Sequence, residues 1–362
     1  MKITDLKWGR VSVPLRVPFK TALRTVNSVE DIIVAVYTDE GAVGYGEAPP
    51  TGAVTGDTTD AILGALKDHI KKTIVGCEIE NLERTLQALN GCVHGNTSAK
   101  AAVDMAIYDL FGQKYGLPCY KLFGGARNKL VTDITISVND PEVMAKDTIN
   151  AVKRGYDTLK IKVGINPDLD VARLVAVREA AGPDTIIRID ANQAWTPKQA
   201  VRILNSMQEK GLNLELVEQP VKGYDFEGMK YVTDNSYVPV MADESVFSPM
   251  DAFKIIEMRA ADMINIKLMK TGGIYNASKI AAAAEVYGMP CMMGCMLEAK
   301  VSVNAAVHFA CGHSIIEKID LDGPVLCSKD PVEGGAVFNE QLITVSDEPG
   351  MGIKGIEGVN WL

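Results

Sequence analysis

From about Val131 onward, short apolar runs alternate with amphipathic stretches whose apolar positions fall three and four residues apart. Strand-length runs separated by helical periodicity predict a parallel sheet built from βα units. Eight strands are expected: TDITISV (132–138), TLKIKVG (158–164), TIIRIDAN (185–192), LELVEQP (214–220), VPVMADES (238–245), DMINIKL (262–268), PCMMGCML (290–297) and IIEKIDLDG (315–323). The charged residues near their ends, Lys162, Asp190, Glu218, Asp243 and Lys267, follow one another at intervals of 24 to 28 residues, the length of one βα repeat. Successive units of this length close into a barrel.

The first segment reads differently. TDLKWGRVSVPL and DIIVAVYTDEGAVGYGEAPP, with a turn at Asp39-Glu40-Gly41, precede apolar-periodic stretches around 57–74 and 97–115. Strands first and helices afterwards predict an α+β unit. The expected fold class is therefore α/β: a (β/α)7β TIM-like barrel over 126–323, an α+β capping domain over 1–125 with loops at about 18–28 and 50–58, and a tail, 324–362, that packs back on the cap. The tail is rich in Gly and Pro and carries strand-like pieces, AVFNEQLITV and GVNWL. No Pro/Ser-rich linker divides the parts, which predicts a wide, rigid interface.

Composition narrows the function. The chain has 362 residues, 47% of them hydrophobic, and a net charge of −9 with no basic run. This argues against nucleic acid or an anionic membrane surface as partner and favours a small molecule. No apolar stretch approaches the roughly 20 residues of a membrane span, and MKITDLKWGR lacks the apolar region of a secretory signal, so a cytoplasmic protein is expected. The seven cysteines are an odd number among apolar neighbours and read as reduced core thiols. Cys291 and Cys295 have neither histidine nor a second cysteine pair at zinc-like spacing.

The third, fourth and fifth strands each end in one acid after an apolar run: Asp190, Glu218 and Asp243. Barrel enzymes place their chemistry at these ends. Three carboxylates crowded into a low-dielectric mouth repel one another unless a cation joins them, and Mg²⁺ suits an all-oxygen set while leaving positions for water and substrate. The competing reading is that each acid caps the following helix.

Lys160 and Lys162 are two apart on one strand and so share a face. If that face is the interior, both reach the mouth, where crowding of amines lowers their pKa and provides a neutral base; the alternative is a solvent-facing pair, at odds with a helix-covered barrel. Lys267 ends the sixth strand, directly across an eight-stranded barrel from the second. A carbon acid held by the metal would then present one face to Lys162 and the other to Lys267, and proton removal on one side with return on the other inverts a stereocentre. Asp320 and Asp322, spaced like the lysine pair on strand eight, suit either a second metal or, preferably, a substrate ammonium; otherwise they begin a polar loop before Gly323 and Pro324. Glu298, at the end of strand seven, is a further candidate for substrate binding or as partner of a lysine.

The ordered set KIK, RIDANQ, LVEQP, MADES and INIKLMKTGG resembles the muconate-lactonizing subgroup of the enolase superfamily. Within it, PFKTALRTV (18–26), GEAPPTGAVTGDT (46–58) and the IDLDG acids are similar to the dipeptide epimerases that act on L-Ala-D/L-Glu in bacterial murein-peptide metabolism. The likeness implies that Asp190, Glu218 and Asp243 bind one Mg²⁺ per subunit, which holds the substrate's α-carboxylate and stabilises an enediolate. It implies Lys162 and Lys267 as the two acid/base catalysts, Lys160 beside the carboxylate oxygens, and Asp320 and Asp322 on the dipeptide's ammonium. Arg24, in a capping loop, is expected to pair with the side-chain carboxylate of a C-terminal glutamate, although a lone loop arginine is otherwise solvated. Thr135 is expected as a further substrate contact and Leu297 as part of the pocket lining. A homo-oligomer is expected on the same likeness. The rivals are a cycloisomerase or o-succinylbenzoate-type dehydratase, which has no use for an ammonium-binding acid pair, an N-succinylamino-acid racemase, disfavoured for the same reason, and a catalytically silent scaffold.

Overall fold

The computed structural model describes residues 1–21 and 25–362. An antiparallel meander opens the chain: β1 (Ile3–Lys20), β2 (Thr25–Thr38) and β3 (Val43–Ala48). Its inner face packs on the helix Thr97–Tyr115, whose approach is so close that a Cβ on Gly46 would lie 1.8 Å from the Ala102 carbonyl oxygen. Only glycine permits that contact. Ile32, Val34, Val36, Ala102, Ala106 and Leu110 make the core between them. A helix at Leu82–Gly91 completes the unit. It was not among the expected elements, although Leu82, Leu86 and Leu89 recur at helical spacing and pack inward.

After β4 (Lys129–Val131) come the eight barrel strands: β5 (Ile134–Ile136), β6 (Thr158–Lys162), β7 (Ile186–Asp190), β8 (Leu214–Glu218), β9 (Val240–Ala242), β10 (Met263–Ile266), β11 (Cys291–Gly294) and β12 (Ile316–Asp320). Each lies within one of the eight predicted runs. They form a single parallel sheet in chain order, with helices between consecutive strands. The seam between β5 and β12 is drawn together by Asp133 N donating to the Ile319 carbonyl at 3.3 Å, and by Arg188, which donates to Asp133 (2.8 Å) and to the same carbonyl (3.1 Å). The result is the (β/α)7β barrel expected.

Alternation along the strands sets what faces where. Leu159, Ile161, Ile187, Ile189, Val217, Val240, Ile264 and Ile266 point outward into the layer beneath the helices, each burial contributing about 1.5–3 kcal/mol. The intervening positions point inward. Leu216, Met241 and Met292 form a small apolar plug inside the barrel, and the residues two positions farther along their strands reach the mouth.

In the tail, β13 (Val332–Gly334) pairs with β16 (Ile353–Ile356), while β14 (Val337–Asn339) and β15 (Leu342–Thr344) form a hairpin on β4. That hairpin therefore attaches to the barrel side, since the free edge of β4 offers unpaired backbone groups. β17 (Asn360–Trp361) pairs with β1 of the cap, and Val332 on β13 and Ile353 on β16 share a core with Val11, Val13, Val29 and Ile33 of β1 and β2. All seven cysteines are free. No helix among the described residues is long and apolar enough to cross a membrane.

Candidate active site

A cavity lies between the barrel mouth and the cap. Lys160, Lys162, Asp243, Lys267, Asp320 and Asp322 line it, together with Phe19, Thr51 and Val54 of the cap and Leu297 and Leu326 of the barrel side. Thr135 lines it too. Lys162 on β6 and Lys267 after β10 are separated by the three strands β7, β8 and β9, which carry the acids. Asp190, Glu218 and Asp243 are each at most 1% exposed.

Each acid is met by an ammonium. Lys162 Nζ lies 2.5 Å from Asp190 Oδ2, Lys160 Nζ 2.7 Å from Glu218 Oε2 and 2.6 Å from Asp320, and Lys267 Nζ 2.7 Å from Asp243 Oδ2. The helices that follow these strands are capped by other side chains: Asn166 at Asp168 N, Thr196 at Gln199 N, Asp225 at Gly228 N and Ser248 at Asp251 N. The alternative role of the three acids as helix caps is thus filled elsewhere.

The charges order the protonation states. Burial opposes ionisation of Asp190 and Asp243, but the lysines outweigh it: Lys162 and Lys160 hold Asp190 below its ordinary value, and Lys267 and Lys270 hold Asp243 well below it. Glu218 is pushed up to about 7 by burial and by Asp190. For Lys160 and Lys267, burial favours the neutral amine, yet the facing carboxylates prevail and both lie above the ordinary lysine value. For Lys160 the depression expected from its place beside a second lysine is therefore reversed, because Asp320, Glu218 and Asp190 surround its amine.

Four contributors escaped the sequence reading. Asn192 bridges two acids, donating to Asp190 (3.2 Å) and Glu244 (3.4 Å). Glu244 lines the cavity and is pushed up to about 8 by burial and by Asp243. Lys270, fully buried, sits 2.6 Å from Asp243 Oδ1. Asn265 donates to Glu218 Oε1 at 3.0 Å. All four flank recognised motif residues by one to three positions, so the available signal was their place inside DAN, MADES and NIKLMK.

On the far wall, Asp320 is engaged by Lys160, and Asp322 accepts from the Thr135 backbone N–H at 2.7 Å. Burial and Asp320 push Asp322 up to about 6. Glu298 is not brought into the cavity. β11 ends at Gly294, and the turn that follows aims this carboxylate at Met296 N (2.5 Å) and the Ser302 hydroxyl, next to Glu47. Its expected substrate and lysine contacts are replaced by this buried cluster. Arg24 lies outside the described residues.

The all-oxygen donor set fits a hard divalent cation. Among the described residues, Glu218 Oε2 and Asp243 Oδ1 are buried and accept no hydrogen bond, with only an ammonium nearby to balance them. No three acid, histidine or cysteine side chains are already gathered as a ligand cluster among those residues.

Comparisons with known proteins match both parts of the chain. Residues 3–124 match the N-terminal domain of mandelate racemase/muconate lactonizing enzyme, and residues 143–357 match the enolase C-terminal domain-like family. The L-Ala-D/L-Glu epimerase of Clostridium acetobutylicum is 62% identical over 98% of this chain and 99% of its own. A substrate-liganded complex of the L-Ala-D/L-Glu epimerase from Bacillus subtilis superposes with a TM-score of 0.97 at 47% identity, covering 98% and 99% of the two chains. The dipeptide epimerase from Enterococcus faecalis, complexed with Mg and L-Leu-L-Tyr, does so with a TM-score of 0.95 at 41% identity, covering 98% and 100%. With both family models and these near full-length likenesses in agreement with the barrel and its cap, the chain belongs to the mandelate racemase/muconate lactonizing enzyme family of the enolase superfamily.

Proposed function

We propose that this chain is a Mg²⁺-dependent dipeptide epimerase that inverts the α-carbon of the C-terminal residue in dipeptides of the L-Ala-D/L-Glu type. The observation that carries the proposal is the placement of Lys162 and Lys267 on opposite sides of a three-acid arc within one cavity. The names of the relatives point the same way. Asp190, Glu218 and Asp243 would hold the metal, which when bound supplies the positive charge that makes an α-proton acidic.

The remaining work falls to the chain. One of Lys162 and Lys267 takes the α-proton as a neutral amine, and the other, entering as an ammonium, returns a proton on the opposite face. The two lysines leave with exchanged protonation states and are reset through solvent. Lys160, held positive by its acid neighbours, stabilises the negative charge that develops on the substrate carboxylate. Asp320 and Asp322 receive the dipeptide ammonium, with Thr135 fixing Asp322. Leu297 lines the wall, and Arg24 pairs with the substrate's side-chain carboxylate. A buried amine-binding acid pair has no use in a cycloisomerase or o-succinylbenzoate synthase, the rival reactions on this fold.

The test is solvent deuterium incorporation at the α-carbon of L-Ala-L-Glu, followed by proton NMR with and without Mg²⁺. Lys162→Ala is expected to leave exchange from one epimer only and Lys267→Ala from the other only. Absence of exchange by the parent with any dipeptide, or epimerisation at the parental rate by either variant, overturns the proposal.

A further inference from the structure

The segments that carry the two candidate bases are anchored in different ways. Beyond Lys162, the backbone is held by the barrel itself: Gly164 N donates to Asp170 (3.0 Å), which also accepts from Trp195 Nε1 (3.1 Å) and pairs with Arg173 (2.8 Å). Beyond Lys267, the chain makes one tight turn, with Lys270 N and Thr271 N donating back to the Lys267 carbonyl at 3.0 and 3.2 Å. It then enters the helix Ile274–Tyr287. The start of that helix is gripped from the cap.

Asp104, on the helix Thr97–Tyr115, accepts from Ile274 N at 2.6 Å and Tyr275 N at 3.3 Å. It is fully buried. Glu83 accepts from the Tyr275 hydroxyl at 2.6 Å, and Asn276 donates both to Asn90 (3.0 Å) and to the Thr271 carbonyl (2.8 Å). Gly273 has φ +117, and a Cβ there would stand 2.3 Å from Asp104 Cγ, so the turn passes directly against this carboxylate. A helix N-terminus needs acceptors for its first N–H groups, and here they come from 170 residues away.

We propose that Asp104 is a positioning residue for Lys267 alone: by capping the helix that begins just after the Lys267 turn, the capping domain sets the aim of one base and leaves Lys162 to the barrel. This rests on the two-lysine reading above, whose geometry supplies its own internal control. A loosened fold slows both half-reactions equally, whereas a misaimed Lys267 slows one. Shifts of about 1 Å in a reacting group cost rates by up to about a hundredfold.

The experiment measures α-proton exchange into D2O separately from L-Ala-L-Glu and L-Ala-D-Glu, on the full chain with Mg²⁺. In Asp104→Ala, exchange from the epimer that Lys267→Ala cannot exchange is expected to fall by about tenfold or more, and exchange from the other epimer to stay within about twofold. Inversion falls with the slower face. Burial pushes Asp104 up to about 8, so a neutral amide is a fair substitute and Asp104→Asn is expected to restore most of the lost exchange. If Asp104→Ala does not fold, Asn276→Ala carries the test, with a shift of the same ratio in the same direction by about threefold. Equal slowing of both epimers, loss on the Lys162 side, or an unchanged ratio overturns the proposal. A parent that exchanges neither epimer overturns the epimerase reading itself, a separate and recognisable outcome.

Discussion

Replacing Asp322 with asparagine separates what this carboxylate does for binding from what it does to stability. Asp322 is buried beside Asp320, and its pKa rises from 3.8 to about 6, with burial the larger cause. The folded state holds this proton more tightly than the unfolded chain does. Its favourable contribution is therefore fully present below pH 3.8 and is lost as pH rises through about 6. That gap corresponds to about 3 kcal/mol of folding free energy lost by neutral pH. Asn keeps an oxygen for the Thr135 N–H that now donates at 2.7 Å, so Asp322→Asn is expected to be up to about 3 kcal/mol more stable than the parent at pH 8 and no more stable below pH 4. Binding moves the other way. Losing a charge-assisted bond to the dipeptide ammonium costs about 1.5–3 kcal/mol, or roughly 10- to 150-fold in KM. In the parent, kcat/KM is expected to decline as pH drops through about 6, and the variant is expected to lack that limb. Urea titrations at pH 4 and pH 8 with initial rates across the same range measure both effects. An unchanged KM refutes the ammonium contact, and a less stable variant at pH 8 refutes the burial cost.

Two further outcomes follow from the geometry. Chelation is expected to abolish exchange and Mg²⁺ to restore it; at a hundredfold excess over Kd, Mg²⁺ should stabilise the folded chain by about 2.7 kcal/mol. Calorimetry reads this as a higher Tm, and Asp190→Asn should remove the rise; a rise that persists in the variant places the ion elsewhere. Glu47→Ala is expected to cost about 1–3 kcal/mol in urea unfolding, because the buried Ser302 N–H, now 2.8 Å from Glu47, loses its acceptor, while Glu47→Gln loses less.

Lys160, Lys162, Asp190, Glu218, Asp243 and Lys267 were legible because barrel strands convert spacing into direction: two positions apart is the same face, and the last inward position is the mouth. Asp320 and Asp322 were legible as a pair for the same reason, but the capture of Asp320 by Lys160 was not, since it joins strands two and eight past strand one at the seam of the barrel. Glu298 failed on one detail of local geometry. The apolar run PCMMGCML continues past the hydrogen-bonded strand, which stops at Gly294, so counting to the end of the run overshot the mouth and placed in the cavity a side chain that turns toward Glu47. The same limit hides Asp104 and Glu47, whose partners lie 170 and 255 residues away and leave no periodic trace near either residue. Chemistry therefore sits where strand periodicity can be read, while the aim of each group depends on contacts between distant segments. If the cap aims Lys267 through the segment after it while the barrel holds the segment after Lys162, substitutions along the helix Thr97–Tyr115 are expected to slow the two half-reactions unequally without replacing any residue that lines the cavity.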